Sequence, residues 1–161
     1  MTGSYRPLSV PTLALEAEIL CADGRTFRGR VFMPDVAARH SGPMRPEEWM
    51  NEPASFFPFR PEDGSGSVLM NRNEVLVFTV SAEGHASLAE DEGPVGLHRR
   101  VIVECRDRRY EGEVIMDMPS HLSRVQDYLN RSDPFLIVHD GPRVHLIRKA
   151  RITRVLEPKE K

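Results

Sequence analysis

A stretch of this sequence occurs twice. Ile19 to Pro34, ILCADGRTFRGRVFMP, is answered by Val101 to Pro119, VIVECRDRRYEGEVIMDMP. At an offset of 83 residues Ile19 falls on Ile102, Leu20 on Val103, Arg25 on Arg108, Phe27 on Tyr110, Gly29 on Gly112, Val31 on Val114 and Met33 on Met116. A 161-residue chain built this way reads as one unit used twice. Each unit is short enough to bury only roughly 60% of its unfolded surface, so the copies are expected to lean on each other or on other subunits. The expected boundaries are a flexible arm over 1–13, a first unit over 14–81, an acidic linker over 82–98, a second unit over 99–157 and a charged tail over 158–161.

Within each copy the pattern predicts strand, strand, short helix, then three strands. Ala17, Ile19 and Cys21 alternate with Glu16, Glu18 and Leu20 up to a turn at Asp23-Gly24. Gly29 lies inside the second strand, where a missing side chain marks a bend. Pro46 fits the first position of a short helix, with Glu47 and Glu48 at its positive end and Trp49 and Met50 on its apolar side. In the second copy Ser123-Arg124-Val125-Gln126 has the form of a capping box, and Val125, Tyr128 and Leu129 share one face. Pro58 lacks the donor that Ile137 has, which predicts an edge or bulged strand. FLIV (Phe135–Val138) and VLVF (Val75–Phe78) are apolar on both faces and suit burial on two sides. The fold class is therefore mainly β, with two tandem five-stranded barrels, each carrying a helix between its second and third strands.

The segments VECRDRRYEGEVIMD and LCADGRTFRGRVF are similar to the first motif of the Sm-like family, which includes the bacterial Hfq-type proteins. LIRKARITRV, Leu146 to Val155, is similar to the last two strands of the Hfq type. LMNRNEVLVF, Leu69 to Phe78, resembles the second Sm motif, with Asn73 and Glu74 in place of the glycine-asparagine neighbourhood. The chain departs from the family in placing its helix inside the unit and in fusing two units; other SH3-like barrels share the strand order. The resemblance implies assembly through edge strands, and it implies RNA-binding residues near the last two strands.

Charge is unevenly shared. Residues 1–95 carry 8 Lys/Arg against 14 Asp/Glu, and residues 96–161 carry 14 against 10. The second copy is thus mildly basic, short of the dense footprint of a phosphate-binding surface. Candidate contacts to RNA or to an acidic partner are Arg106, Arg108, Arg109, Arg148, Lys149, Arg151 and Arg154, although Ala150 stands where the Hfq-type motif has histidine. An acidic–basic contact between the copies competes for the same arginines. Trp49, Phe56, Phe57 and Phe59 are candidates for an interface, or for core plus interface. Cys21 and Cys105 read as small buried hydrophobes in corresponding strands.

No phosphate loop, nucleophile elbow or metal-ligand spacing stands out, and His139 and His145 straddle a hairpin at unequal distances from its turn. The sequence thus points to a non-enzymatic, cytoplasmic protein without cofactor, metal or membrane span. The expected role is a scaffold or adaptor that self-associates or binds a protein partner, with an RNA-binding module as the alternative and a small-ligand sensor behind both.

Overall fold

The computed structural model describes residues 12–34, 45–83, 96–117 and 124–159. Ten antiparallel strands form one sheet: β1 Thr12–Cys21, β2 Thr26–Pro34, β3 Phe56–Pro61, β4 Val68–Asn71, β5 Val75–Ser81, β6 Leu97–Cys105, β7 Arg108–Met116, β8 Phe135–Asp140, β9 Arg143–Arg148 and β10 Ile152–Leu156. Two short helices, α1 Pro46–Met50 and α2 Val125–Leu129, follow the second strand of each half. The strand order across the sheet is β10-β6-β7-β8-β9-β5-β1-β2-β3-β4. In each half the fifth strand therefore lies beside the first, and the fourth lies at the far side.

The sheet is not closed into a barrel, which corrects the expectation of two closed units. The reason lies at β5. A 3-10 turn, Arg72–Glu74, carries the chain from β4 to β5, which pairs with β1 on one side and with β9 of the other half on the other. Both edges of β5 are thus used, and among the described residues β4 pairs with β3 alone.

Two apolar cores result. Ile19, Val31, Met33, Trp49, Phe57, Phe59 and Phe78 anchor the first, while Val101, Val103, Val114, Met116, Val125 and Val138 anchor the second. The glycine inside the second strand of each half explains how the sheet bends. A Cβ on Gly29 would lie 2.1 Å from the Arg60 carbonyl oxygen, and one on Gly112 would lie 2.4 Å from that of His139. Only a residue without a side chain admits the neighbouring backbone so closely.

The repeat itself needs one correction. Gly29 pairs with Ala17 and Gly112 with Val101, so the first strands correspond at an offset of 84, while the second strands keep 83. Ile19 then matches Val103, and Cys21 matches Cys105. The first half has one extra turn residue. Because side chains alternate with period 2, the offset of 83 placed Ile19 on the wrong face of its counterpart strand. Cys21 and Cys105 are free and buried, one in each core, and burial raises both thiols above their ordinary range.

Smaller differences follow from local chemistry. Helix α2 is capped at Arg124, one residue later than the capping box predicts, with no side-chain cap; Ser123 lies outside the described residues. Pro58 sits in a strand that β4 covers, so β3 is not an edge; Pro58 is exposed opposite Leu69. Thr12 and Leu13, assigned to the arm, belong to β1, and Leu97 and His98, assigned to the linker, belong to β6. The rest of the arm, residues 1–11, and linker residues 84–95 lie outside the described residues. Among the described residues no helix is long and apolar enough to cross a membrane.

Candidate functional site

The most distinctive feature is the seam where β5 meets β9. Val77 pairs with Ile147, Phe78 with Leu146, Thr79 with His145, Val80 with Val144 and Ser81 with Arg143. Strand β5 is apolar on both faces, and each face is used. Phe78 and Val80 point into the first core, whereas Leu76 and Val77 belong to the second. The exchange is reciprocal, because Phe135, Val144 and Leu146 of the second half fill part of the first core. The two cores interpenetrate at the seam, so neither half buries its full apolar surface without the other.

Polar groups fasten this seam. Arg148, at the end of β9, donates from Nε to the Val75 carbonyl (2.8 Å) and from Nη2 to the Arg72 carbonyl (2.7 Å). Its guanidinium lies 4.6 Å from the centre of the Phe135 ring. Burial pushes its pKa down, but an arginine remains charged throughout the accessible range. Arg72 has its own interior role. It is buried, its Nη1 donates to the Ala54 carbonyl, and its guanidinium stacks near Trp49 (5.0 Å) and Phe57 (5.2 Å). Lys149 holds the corresponding turn of the second half, with Nζ donating to the Arg131 carbonyl at 3.2 Å.

His145 is the polar centre of the seam. It is buried, with Nδ1 2.8 Å from Thr79 Oγ1 across the seam and Nε2 3.3 Å from Asp140 Oδ2. Tyr110 packs against its ring at 4.9 Å, and burial raises the Tyr110 hydroxyl to about 12. Along the sequence His145 stands out only as a possible metal ligand. The signal that identifies its role is cross-strand pairing with Thr79, which needs the order of the halves. Among the described residues no cluster of His, Cys, Asp and Glu suits a metal ion.

A pH dependence follows from this burial. Desolvation, helped slightly by Arg143, lowers the His145 pKa from 6.5, outweighing the opposing pull of Asp140 and the smaller one of Glu18. A histidine that binds its proton less readily when folded withholds none of its stability above the unfolded pKa. Stability is lost as pH falls below 6.5 and levels off once the folded pKa is passed. Urea midpoints measured across this range are expected to fall with acidity, and His145→Asn is expected to flatten that slope.

The other candidate residues are scattered. Arg154 forms a two-pronged pair with Glu104, at 2.6 and 3.1 Å. Arg106 and Arg108 lie at the tip of the second half and touch the first. Arg108 Nη2 is 3.4 Å from Thr26 Oγ1, and Arg106 lies beside Gly24, where its charge helps hold the Asp23 carboxyl acidic. The dominant causes of that Asp23 shift are its hydrogen bonds with Arg25. At these turns the contact between halves is thus one hydrogen bond to a threonine and a weak charge effect on Asp23, on an exposed surface where such interactions contribute little. Arg109 and Arg151 are exposed. Trp49, Phe57 and Phe59 are core residues, and of the four candidate aromatics Phe56 alone is exposed.

Two grooves lie among the described residues. One, of about 750 Å³, runs along the first half and reaches Pro142 and Arg143 of the second, and its Arg28 and Arg30 are paired with Glu18 and Glu16. The other, of about 740 Å³, lies between α2, the Lys149–Arg151 turn and β10. No protein-family model, curated protein or solved structure matches the chain.

Proposed function

We propose that this chain is a non-enzymatic scaffold or adaptor built from two Sm-like units, which assembles through its edge strands and binds a protein partner. The observation that carries this reading is the seam. Two five-strand sets with the same strand order are joined edge to edge by the fifth strand of one and the fourth strand of the other. Among the described residues, the same two kinds of edge, β4 and β10, stand unpaired at the ends of the sheet. Open edges present unpaired backbone donors and acceptors, which favour strand addition. The bent glycine strand and the 3-10 turn before the fifth strand occur in both halves and support the Sm-like reading.

The arginine contacts favour protein over RNA as the partner. Arg148, Lys149 and Arg154 are engaged within the chain. An RNA surface would rest mainly on the exposed Arg106, Arg109 and Arg151, a sparse set for phosphate neutralisation. Sedimentation of the purified protein tests the reading: mass rising above one chain with concentration is expected, three chains making a six-unit pseudo-ring. A strict monomer without a protein partner would remove it. RNA binding that weakens steeply with salt would favour the alternative.

A further inference from the structure

We propose that the groove of about 750 Å³ along the first half receives an extended acidic segment of a partner protein, whose carboxylates reach Arg143 at one end and Arg30 and Arg60 at the other. The inference rests on the protein-partner reading above and names the chemistry of that partner. The register carries it. Directly opposed residues of antiparallel strands lie on the same face. Arg143 stands opposite Ser81, and Arg30 stands opposite Glu16 on one side and Arg60 on the other. Glu18 pairs with Thr79, and continuing that register by two residues brings Glu16 level with Ser81. Arg143, Ser81, Glu16, Arg30 and Arg60 therefore form one row across β9, β5, β1, β2 and β3, and all of them line the groove.

The charges of this row do not balance. Arg30 and Arg60 face each other across β2 and β3, a like-charge placement that is unfavourable in a sheet. The row's carboxylate, Glu16, lies 3.8 Å from Arg30. Arg60 rests its guanidinium 5.3 Å from the centre of the Phe32 ring, and Asp140, opposite Arg143 in its hairpin, is turned to His145. Among the described residues no ion pair holds Arg60 or Arg143. The second half shows that the fold does not require this arrangement. The first and second strands correspond as given above, and Phe56 and Phe135 open the third strands, an offset of 79. The counterparts of Glu16, Arg30 and Arg60 are then Arg100, Glu113 and His139. There the central residue is an acid, with Arg100 at 3.5 Å and His98 at 3.1 Å.

Length and charge pattern together favour a peptide. Neighbouring strands lie roughly 4.8 Å apart and an extended residue spans about 3.3 Å, so the four spacings from Arg143 to Arg60 are covered by about six residues. Arg143 belongs to the second half, so the row is complete only where β5 meets β9. The next row on the same face holds Glu18 and Glu62 around Arg28, which Glu18 already pairs at 3.1 Å. A nucleic acid, with its regular run of phosphates, would meet these carboxylates and Glu16 as well as the arginines. A peptide places its carboxylates only where Arg143, Arg30 and Arg60 stand.

Fluorescence anisotropy on the full chain at low salt tests this, with a labelled ten-residue peptide of alternating Glu and Ser as the probe. A Gln-Ser peptide and a ten-nucleotide oligouridylate serve as comparisons. The Glu-Ser peptide is expected to bind, and more weakly as salt rises. Arg60→Glu and Arg143→Glu each remove an exposed ion pair and add a repulsion, so each is expected to weaken binding about tenfold. Arg151→Glu makes the same charge change outside the groove and is expected to weaken it by less than about twofold. Arg60→Glu also sets a carboxylate opposite Arg30, so its urea midpoint should hold or rise, whereas binding lost through misfolding would lower it. A Glu-Ser peptide that fails to bind, or binds every variant alike, would overturn the inference and leave edge assembly to be judged by sedimentation. Equal binding of the Gln-Ser peptide would overturn it too. Oligouridylate bound more tightly than the peptide, and lost in the same two variants, would overturn it in favour of nucleic acid and count against the protein-partner reading itself.

Discussion

Gly112→Ala is expected to destabilise the protein by about 3 kcal/mol or more, above the usual range for overpacking because the obstruction is backbone. The added methyl carbon would sit 2.4 Å from the His139 carbonyl oxygen and 2.9 Å from its carbon and from a Val138 methyl group. No rotamer change relieves a clash between a Cβ and a carbonyl. Strand β8 would have to move away from β7, and β8 carries Phe135, Leu136 and Val138 into the cores. For a chain of this length the loss lowers the melting temperature by roughly 6–12 °C. Thermal unfolding followed by circular dichroism measures it. Gly64→Ala is the comparison: Gly64 has φ +78, but nothing lies within 4 Å of a Cβ there. A loss at Gly112 no larger than at Gly64, where the positive φ alone is disturbed, would contradict the close-approach explanation.

The second large effect is expected at Arg148. Arg148→Ala removes two charge-assisted hydrogen bonds to the Arg72 and Val75 carbonyls and the stacking on Phe135. Each such bond contributes about 1.5–3 kcal/mol, and partial exposure of the side chain argues for the lower figure, giving a loss of about 3 kcal/mol. Arg148→Lys should recover less than half, because one ammonium cannot reproduce a planar fork aimed at two carbonyls. Arg151→Ala, on the neighbouring exposed turn residue, should change stability by no more than about 0.5 kcal/mol. Urea denaturation distinguishes these outcomes. Equal losses at Arg148 and Arg151 would mean that the seam clamp contributes nothing special.

The same comparison shows what kind of residue the basic cluster contains. Read along the chain, Arg148, Lys149, Arg151 and Arg154 form one basic stretch. In space they separate: Arg148 reaches back into the seam, Lys149 ties down the loop at Arg131, and Arg154 is held by Glu104. A run of like charges does not show which members have carbonyl or carboxylate partners, since those partners lie 18 to 76 residues away.

Local signals did determine much of this protein. Alternation placed most strands, the Pro46 and Val125 regions gave helices, and the inner glycine of each copy marked a bend, because these depend on side-chain period and backbone freedom within a few residues. VLVF, apolar on both faces, was recognisable as a strand buried on two sides. What the sequence could not determine was the partner on the second side. Nothing local distinguishes a fifth strand that closes its own unit from one that pairs with a fourth strand of the other, because both require the same apolar pattern. Nor could it separate Phe56 from Phe135, each a leading aromatic in a third strand, although one is exposed and the other buried. That difference arises only when β9 is laid against β5, which covers one copy of a shared surface and leaves the other open.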